Sequence, residues 1–187
     1  PWLARHKAQL KADVAVVSDT RFLAPGHPAI VYALRGGLGL DLTVRSLPRD
    51  VHSGSYGGAL YNPIQALSEI IARLHDAEGR IAIPGFYDQV RQWSRTERRQ
   101  MARTGPVDAQ ILRAARSRHS WGERDYTLYE RTTIRPALTI NGITGGYQGA
   151  GGKGIIPAQA AAKISFRLVP DQDPRWVAQL FRQQIAR

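Results

Sequence analysis

The chain has no cysteine, which excludes disulfides and thiolate metal sites within it without deciding its compartment. It has no apolar run long enough to span a bilayer and no leader-like pattern at its N-terminus. No membrane partner is expected, and the expected location is the cytoplasm. Acidic residues are scarce, 15 Asp and Glu against 26 Lys and Arg, for a formal net charge of +11. Such an excess can mark a nucleic-acid or membrane partner. Here the arginines are scattered, apart from Arg91, Arg95, Arg98, Arg99 and Arg103 and a second group at Arg113, Arg116 and Arg118. On a helix the first group runs mostly at four-residue steps and makes a solvated stripe. No aromatic platform is interleaved with it, so no nucleic-acid partner is expected.

What is present suits a compact domain. Hydrophobic residues make up 43% of the 187, too many for a disordered chain, and the length allows a sizeable core in one domain or one and a half. Val14-Ala15-Val16-Val17 reads as a short buried strand over about Asp13–Ser18, ending at Asp19. A second β region runs from about Ala29 to Arg45, interrupted by Gly36-Gly37, with Leu38, Leu40, Leu42 and Val44 alternating onto one face. Asn62 and Pro63 form the start of a helix as N-cap and first-turn residue, and Ile64, Leu67, Ile70, Ile71 and Leu74 recur at helical spacing. Residues Phe86 to Thr133 are more helical and more charged, as an insertion would be. Strands follow near Ala137–Ile143 and Ala160–Leu168, joined by a long glycine-rich loop, and Asp173-Pro174 opens a last helix with Val177, Leu180, Phe181 and Ile185 on one face. This order predicts an α+β two-layer sandwich, with helices on one side of an antiparallel sheet.

The segment richest in chemistry is Asp50-Val51-His52-Ser53-Gly54-Ser55-Tyr56-Gly57-Gly58, followed by Asn62-Pro63. It joins an imidazole, able to donate a proton, change charge or bind metal, to a flexible loop at a strand-to-helix junction. Taken alone, these residues fit a functional loop or a surface loop with an incidental histidine. The string resembles the Asp-x-His-Ser-Gly-x-x-Gly-Gly…Asn-Pro signature in the lid domain of the zinc-dependent aminoacylase/carboxypeptidase/dipeptidase metallopeptidases, in pattern nearest the carnosine-dipeptidase-like branch. Four further segments agree in the same order: Val17-Ser18-Asp19-Thr20, Ala33-Leu34-Arg35-Gly36, Ile83-Pro84-Gly85-Phe86-Tyr87, and Gly149 through Pro157 leading into Arg167-Leu168-Val169-Pro170.

The resemblance implies a ferredoxin-like lid domain with a four-stranded sheet. Residues 1–22 would be the edge of a catalytic domain and 23–187 the lid and dimerisation domain, with the insertion at about 86–133 and the closing strand missing. It implies that His52 reaches across a dimer interface to stabilise an oxyanion in the partner's active site. Arg167 would bind the substrate's terminal carboxylate, as an arginine on a rigid strand can, although a structural salt bridge is the other reading. Asp19 matches a carboxylate ligand of one of two zinc ions, but it could instead cap a turn with Thr20, itself a candidate substrate contact. The other zinc ligands and the catalytic Glu-Glu pair have no counterparts here. The family usually has Lys-Thr-Val-Ile-Pro, or asparagine in place of the threonine, where this chain has Lys153-Gly154-Ile155-Ile156-Pro157. Either substrate binding at Gly154 uses backbone, or the specificity differs from the dipeptidase pattern. The expectation is the lid of a homodimeric two-zinc hydrolase of dipeptides or acylated amino acids, holding no zinc tightly and inactive alone. The competing class is a stand-alone self-associating module with no catalytic role.

Overall fold

The computed structural model describes residues 1–17, 26, 30, 31 and 33–186. The chain divides into two compact units, Pro1–Tyr32 and Ala33–Arg187. In the first, the described elements reduce to the short helix α1 (Trp2–Arg5). The expected strand at Asp13–Ser18 does not form over its described residues, and Val14, Val16 and Val17 are exposed. An apolar run becomes a strand only where a neighbouring strand takes up its N–H and C=O groups, and none is paired with it among the described residues. Asp19 and Thr20 lie outside the described residues.

The second unit is built around a strand whose alternate residues are buried without interruption. In β5 (Gln159–Leu168), Ala160, Ala162, Ile164, Phe166 and Leu168 face inward while Gln159, Lys163 and Arg167 are exposed. This is the period of two that a half-buried strand requires. On one side it pairs antiparallel with β1 (Gly36–Arg45), in the register Gly36↔Leu168 to Arg45↔Gln159. On the other it pairs with β3 (Ala137–Gly145), with the register shifting between Ile140 and Gly142. The described sheet thus has three strands in the order β1-β5-β3, not four. A separate two-residue ladder joins β2 (Val51–His52) to β4 (Ile155–Ile156) inside the loop expected to be irregular. The β region expected from Ala29 begins instead at Gly36, so the two glycines open β1 rather than interrupt it.

Helices α3 (Pro63–Ala72) and α7 (Pro174–Ile185) cover the inner face, α3 against β1 and β5 and α7 against β1. Both start as the sequence dictates. The Asn62 carboxamide oxygen accepts from Ile64 N at 2.9 Å and the Asp173 carboxylate from Arg175 N at 2.8 Å, each ahead of a first-turn proline. Phe166 is wholly buried between Phe86, stacked at 5.9 Å, and Phe181, edge-on at 5.8 Å. Between the first helix α2 of the histidine loop (Ser53–Tyr56) and β3, the insertion contributes α4 (Arg95–Thr104), α5 (Asp108–Ala114) and α6 (Leu128–Thr133).

The insertion is tied down by charge. Ser94 and Glu97 close a capping box on α4, and Thr127 and Glu130 close one on α6. Arg98 departs from the expected solvated stripe: its guanidinium grips the buried Glu130 carboxylate through two nitrogens, at 2.6 and 3.2 Å. Burial pushes that carboxyl up, but the bonds from Arg98 and Thr127 outweigh it and hold it below the usual range. Arg135 is buried, paired with Glu123 at 2.7 Å, and lies between the rings of Tyr126 at 4.3 Å and Tyr87 at 5.2 Å. Tyr87 completes the network by accepting from Ile81 N at 3.0 Å and donating to Glu123 at 2.9 Å. Burial raises its phenol well above the ordinary value.

Candidate functional site

His52 ends β2 and serves as the N-cap of α2, the strand-to-helix junction its motif predicts. Three backbone ties fix the junction. Val51 and His52 pair with Ile156 and Ile155, the Ser53 amide donates to the Gly154 carbonyl at 3.0 Å, and the Asp50 carboxylate accepts from Ala158 N at 2.9 Å. The first residue of the motif is therefore a side-chain clamp on the residue just ahead of β5. The sequence offered no role for Asp50, since its partner lies 108 residues away.

The imidazole is exposed and held by one hydrogen bond, from Gly54 N to Nδ1 at 3.1 Å. Because Nδ1 accepts, the proton of the neutral ring sits on Nε2, a donor with no partner among the described residues. The motif's glycines are needed for contact. A Cβ at Gly54 would come within 2.7 Å of the imidazole Cε1, and one at Gly57 within 2.5 Å of the Ser53 carbonyl oxygen. Gly154 lies opposite. A Cβ there would stand 3.2 Å from Ser53 Oγ and 3.9 Å from His52 Nε2, so the missing side chain leaves room beside the ring's donor edge.

Arg167 occupies the exposed face of β5, next to Gly37 of β1 and Ala137 of β3 in register. Its side chain makes no ion pair or hydrogen bond with a described residue. His52 and Arg167 are not brought together. Ile155, the partner of His52, sits four residues before the start of β5, and Arg167 lies near its other end. At ~3.3 Å per residue, the part of β5 from Gln159 to Arg167 alone spans roughly 26 Å.

Among the described residues, no three His, Cys, Asp or Glu side chains cluster in a way that could hold a metal ion. No described helix is long and apolar enough to cross a membrane.

A three-stranded antiparallel sheet covered by two helices on one face, with an exposed histidine loop, defines the class as an α+β sandwich. The family profile described as peptidase dimerisation domain (M20_dimer) matches residues 32–187, and the chain belongs to that family. It is 32% identical over 178 residues to a Cys-Gly metallodipeptidase of Schizosaccharomyces pombe, covering 95% of this chain and 37% of the relative. It is 31% identical over 164 residues to the human Beta-Ala-His dipeptidase, covering 84% and 31%. Among solved structures, an M20 family metallo-carboxypeptidase from Sulfolobus solfataricus superposes with a TM-score of 0.79 at 31% identity, covering 99% of this chain and 48% of that one. Human carnosine dipeptidase 1 superposes at 0.71 with 26% identity, covering 81% and 32%. The chain thus spans about a third of the length of the curated relatives it matches.

Proposed function

We propose that this chain is the lid and dimerisation domain of a homodimeric metallohydrolase that cleaves dipeptides or N-acyl amino acids, and that each lid serves two active sites. The carrying observation is the separation of His52, paired with Ile155 ahead of β5, from Arg167 near the far end of β5, with the His52 ring exposed and its Nδ1 taken up by Gly54 N. Two polar groups so far apart on one protomer serve one small substrate only if they come from different copies. In a symmetric dimer that exchange happens twice.

In this reading Arg167 grips the carboxylate of the substrate bound beside its own protomer through parallel N–H bonds. His52 of the partner subunit donates its Nε2–H to the oxygen of the attacked carbonyl as negative charge develops there. A donor aimed at that oxygen is worth most in the transition state. With no side chain at Gly154, a substrate beside His52 meets backbone there instead of a threonine or asparagine. The proposal extends to cytoplasmic residence and a pair of zinc ions in the complete protein, with Asp19 as one ligand and Thr20 as a substrate contact. The chain's own contribution is binding and charge stabilisation.

The test is His52→Ala in the complete protein. Turnover should fall about 10²–10³-fold, with the dimer intact by sedimentation and KM little changed. Arg167→Ala should chiefly raise KM. Unchanged kinetics in both variants would leave a self-associating module without catalytic duty.

A further inference from the structure

The cationic side chains on the exposed face of β1 and β5 each have a polar partner, except at one end. Lys163 meets Asp41 across the β5–β1 ladder at 2.9 Å, and Arg45 meets the Gln159 side chain at 2.6 Å. At the far end, Arg167 lies over Gly37, whose missing Cβ would be 3.8 Å from Nη1, and its other neighbour in register is Ala137. Small residues on both sides leave the guanidinium uncovered. A second cation belongs to the same end of the sheet. Arg35, immediately before β1, is half-buried and sends Nη1 to the carbonyl oxygens of Arg131 at 3.3 Å and Arg135 at 3.4 Å, at the C-terminal end of α6. Burial and the positive charge of Arg167 both lower its affinity for its proton.

We propose that Arg35 and Arg167 form a two-guanidinium clamp for a single carboxylate, with Arg35 the fixed jaw and Arg167 the mobile one. The inference deepens the proposed role of Arg167 and rests on it. Arg35 and Arg135 stand two residues before Gly37 and Ala137, the two register partners of Arg167, so the bond from Arg35 to the Arg135 carbonyl brings its guanidinium to the same end of the sheet as Arg167. Two like charges there, with no described carboxylate paired to either, repel at a cost that a shared anion removes. Planar forks on two sides can meet both carboxylate oxygens. The carbonyls of Arg131 and Arg135 anchor Arg35 through one nitrogen and leave its other N–H groups without a described partner. Holding one jaw in advance reduces the ordering needed when the anion arrives. The ligand chemistry is a carboxylate, from a small substrate rather than from an acidic side chain elsewhere in the protein.

Calorimetric titration of the full chain with N-acetylglycine and with N-acetylglycinamide tests the clamp. The acid should bind saturably and the amide should not. Arg35→Gln and Arg167→Gln should each weaken the acid about tenfold or more, as for loss of a charged hydrogen bond, and the double variant should lose less than the sum. Arg35→Lys should recover part of the affinity, and unfolding midpoints without ligand separate an effect on α6 from one on the anion. If Arg35→Gln lowers the midpoint but leaves affinity intact, the clamp is wrong while the Arg167 reading stands. Binding indifferent to both variants overturns the two together. No binding of the acid to the wild-type chain also overturns the clamp, because its anion would then be a protein carboxylate. Failure of His52→Ala to reduce turnover would sink the proposed function and leave the clamp untouched.

Discussion

His52, paired with β4, and Arg167 stand at opposite ends of the stretch running from β4 through β5, which suits contacts supplied to one substrate by two copies. The separation gives a sharp test through mixed dimers. His52→Ala and Arg167→Ala proteins, each impaired alone, are unfolded together, refolded and assayed. Half the dimers are hybrids, and in each hybrid one site receives an intact His52 from one copy and an intact Arg167 from the other. Activity should recover to about a quarter of the wild-type level. If both residues act within one protomer, every site in the mixture lacks one of them and nothing is recovered.

The hydrogen bond from Gly54 N to His52 Nδ1 selects the Nε2–H form of the neutral ring. Gly54→Ala would put a methyl 2.7 Å from Cε1 and 3.0 Å from Nδ1, so the ring must turn away and give up the bond. Nitrogen-15 shifts of the imidazole near pH 8 should report an Nε2–H tautomer in the native chain and a mixed population in the variant. The unfolding midpoint should change little, since the ring is exposed. A native ring already divided between tautomers would remove the basis for an unpartnered Nε2 donor.

Much of this was legible in the sequence because it depends on short-range rules. The alternation of Leu38, Leu40, Leu42 and Val44, the Asn62-Pro63 start of α3 and the apolar face of α7 each follow from period and capping alone, and β1, α3 and α7 bear them out. The junction at His52 was legible for the same reason. The ladder between β2 and β4 was not, because two residues of pairing in a glycine-rich loop carry no periodic signal. Nor were the clamp by Asp50, the anchoring of Arg35 or the burial of Arg135 between two tyrosines, whose partners lie far along the chain. The apolar run at Val14–Val17 misled because composition reports a preference for strand while pairing needs a partner.

The Arg135–Glu123 pair should be costly to break from either side. Both side chains are almost fully buried, and the pair is braced by Tyr87 and Tyr126. Glu123→Ala leaves a buried guanidinium without its counter-charge and should cost about 3–5 kcal/mol in urea unfolding. Arg135→Met with Glu123→Leu removes both charges together and should cost clearly less than the sum of the single changes. The exposed Lys163–Asp41 pair is the control, and Asp41→Ala should stay within about 1 kcal/mol of wild type. Equal losses at the two sites would mean that burial of the first pair contributes nothing special.

His75 joins the end of α3 to the insertion and gives the fold a pH dependence whose sign can be worked out. Its ring meets Trp121 edge-on at 4.7 Å, and burial lowers its affinity for a proton, with neighbouring Asp76 opposing the shift more weakly. The unfolded chain should protonate this residue near pH 6.5, while the folded chain resists until lower pH. Between those two values the unfolded state holds more protons, so stability must fall as the solution is acidified. The contribution is complete above about pH 6.5 and is lost as the pH drops through the folded value, below which the deficit is constant. Carboxylates titrate lower still, so the informative quantity is the difference between wild type and His75→Gln. Urea midpoints at pH 7.5, 6.0 and 5.0 should show the wild type losing ground against the variant from the first to the last. A gap that stays constant, or that widens in favour of the wild type in acid, would show that His75 is not held neutral against Trp121.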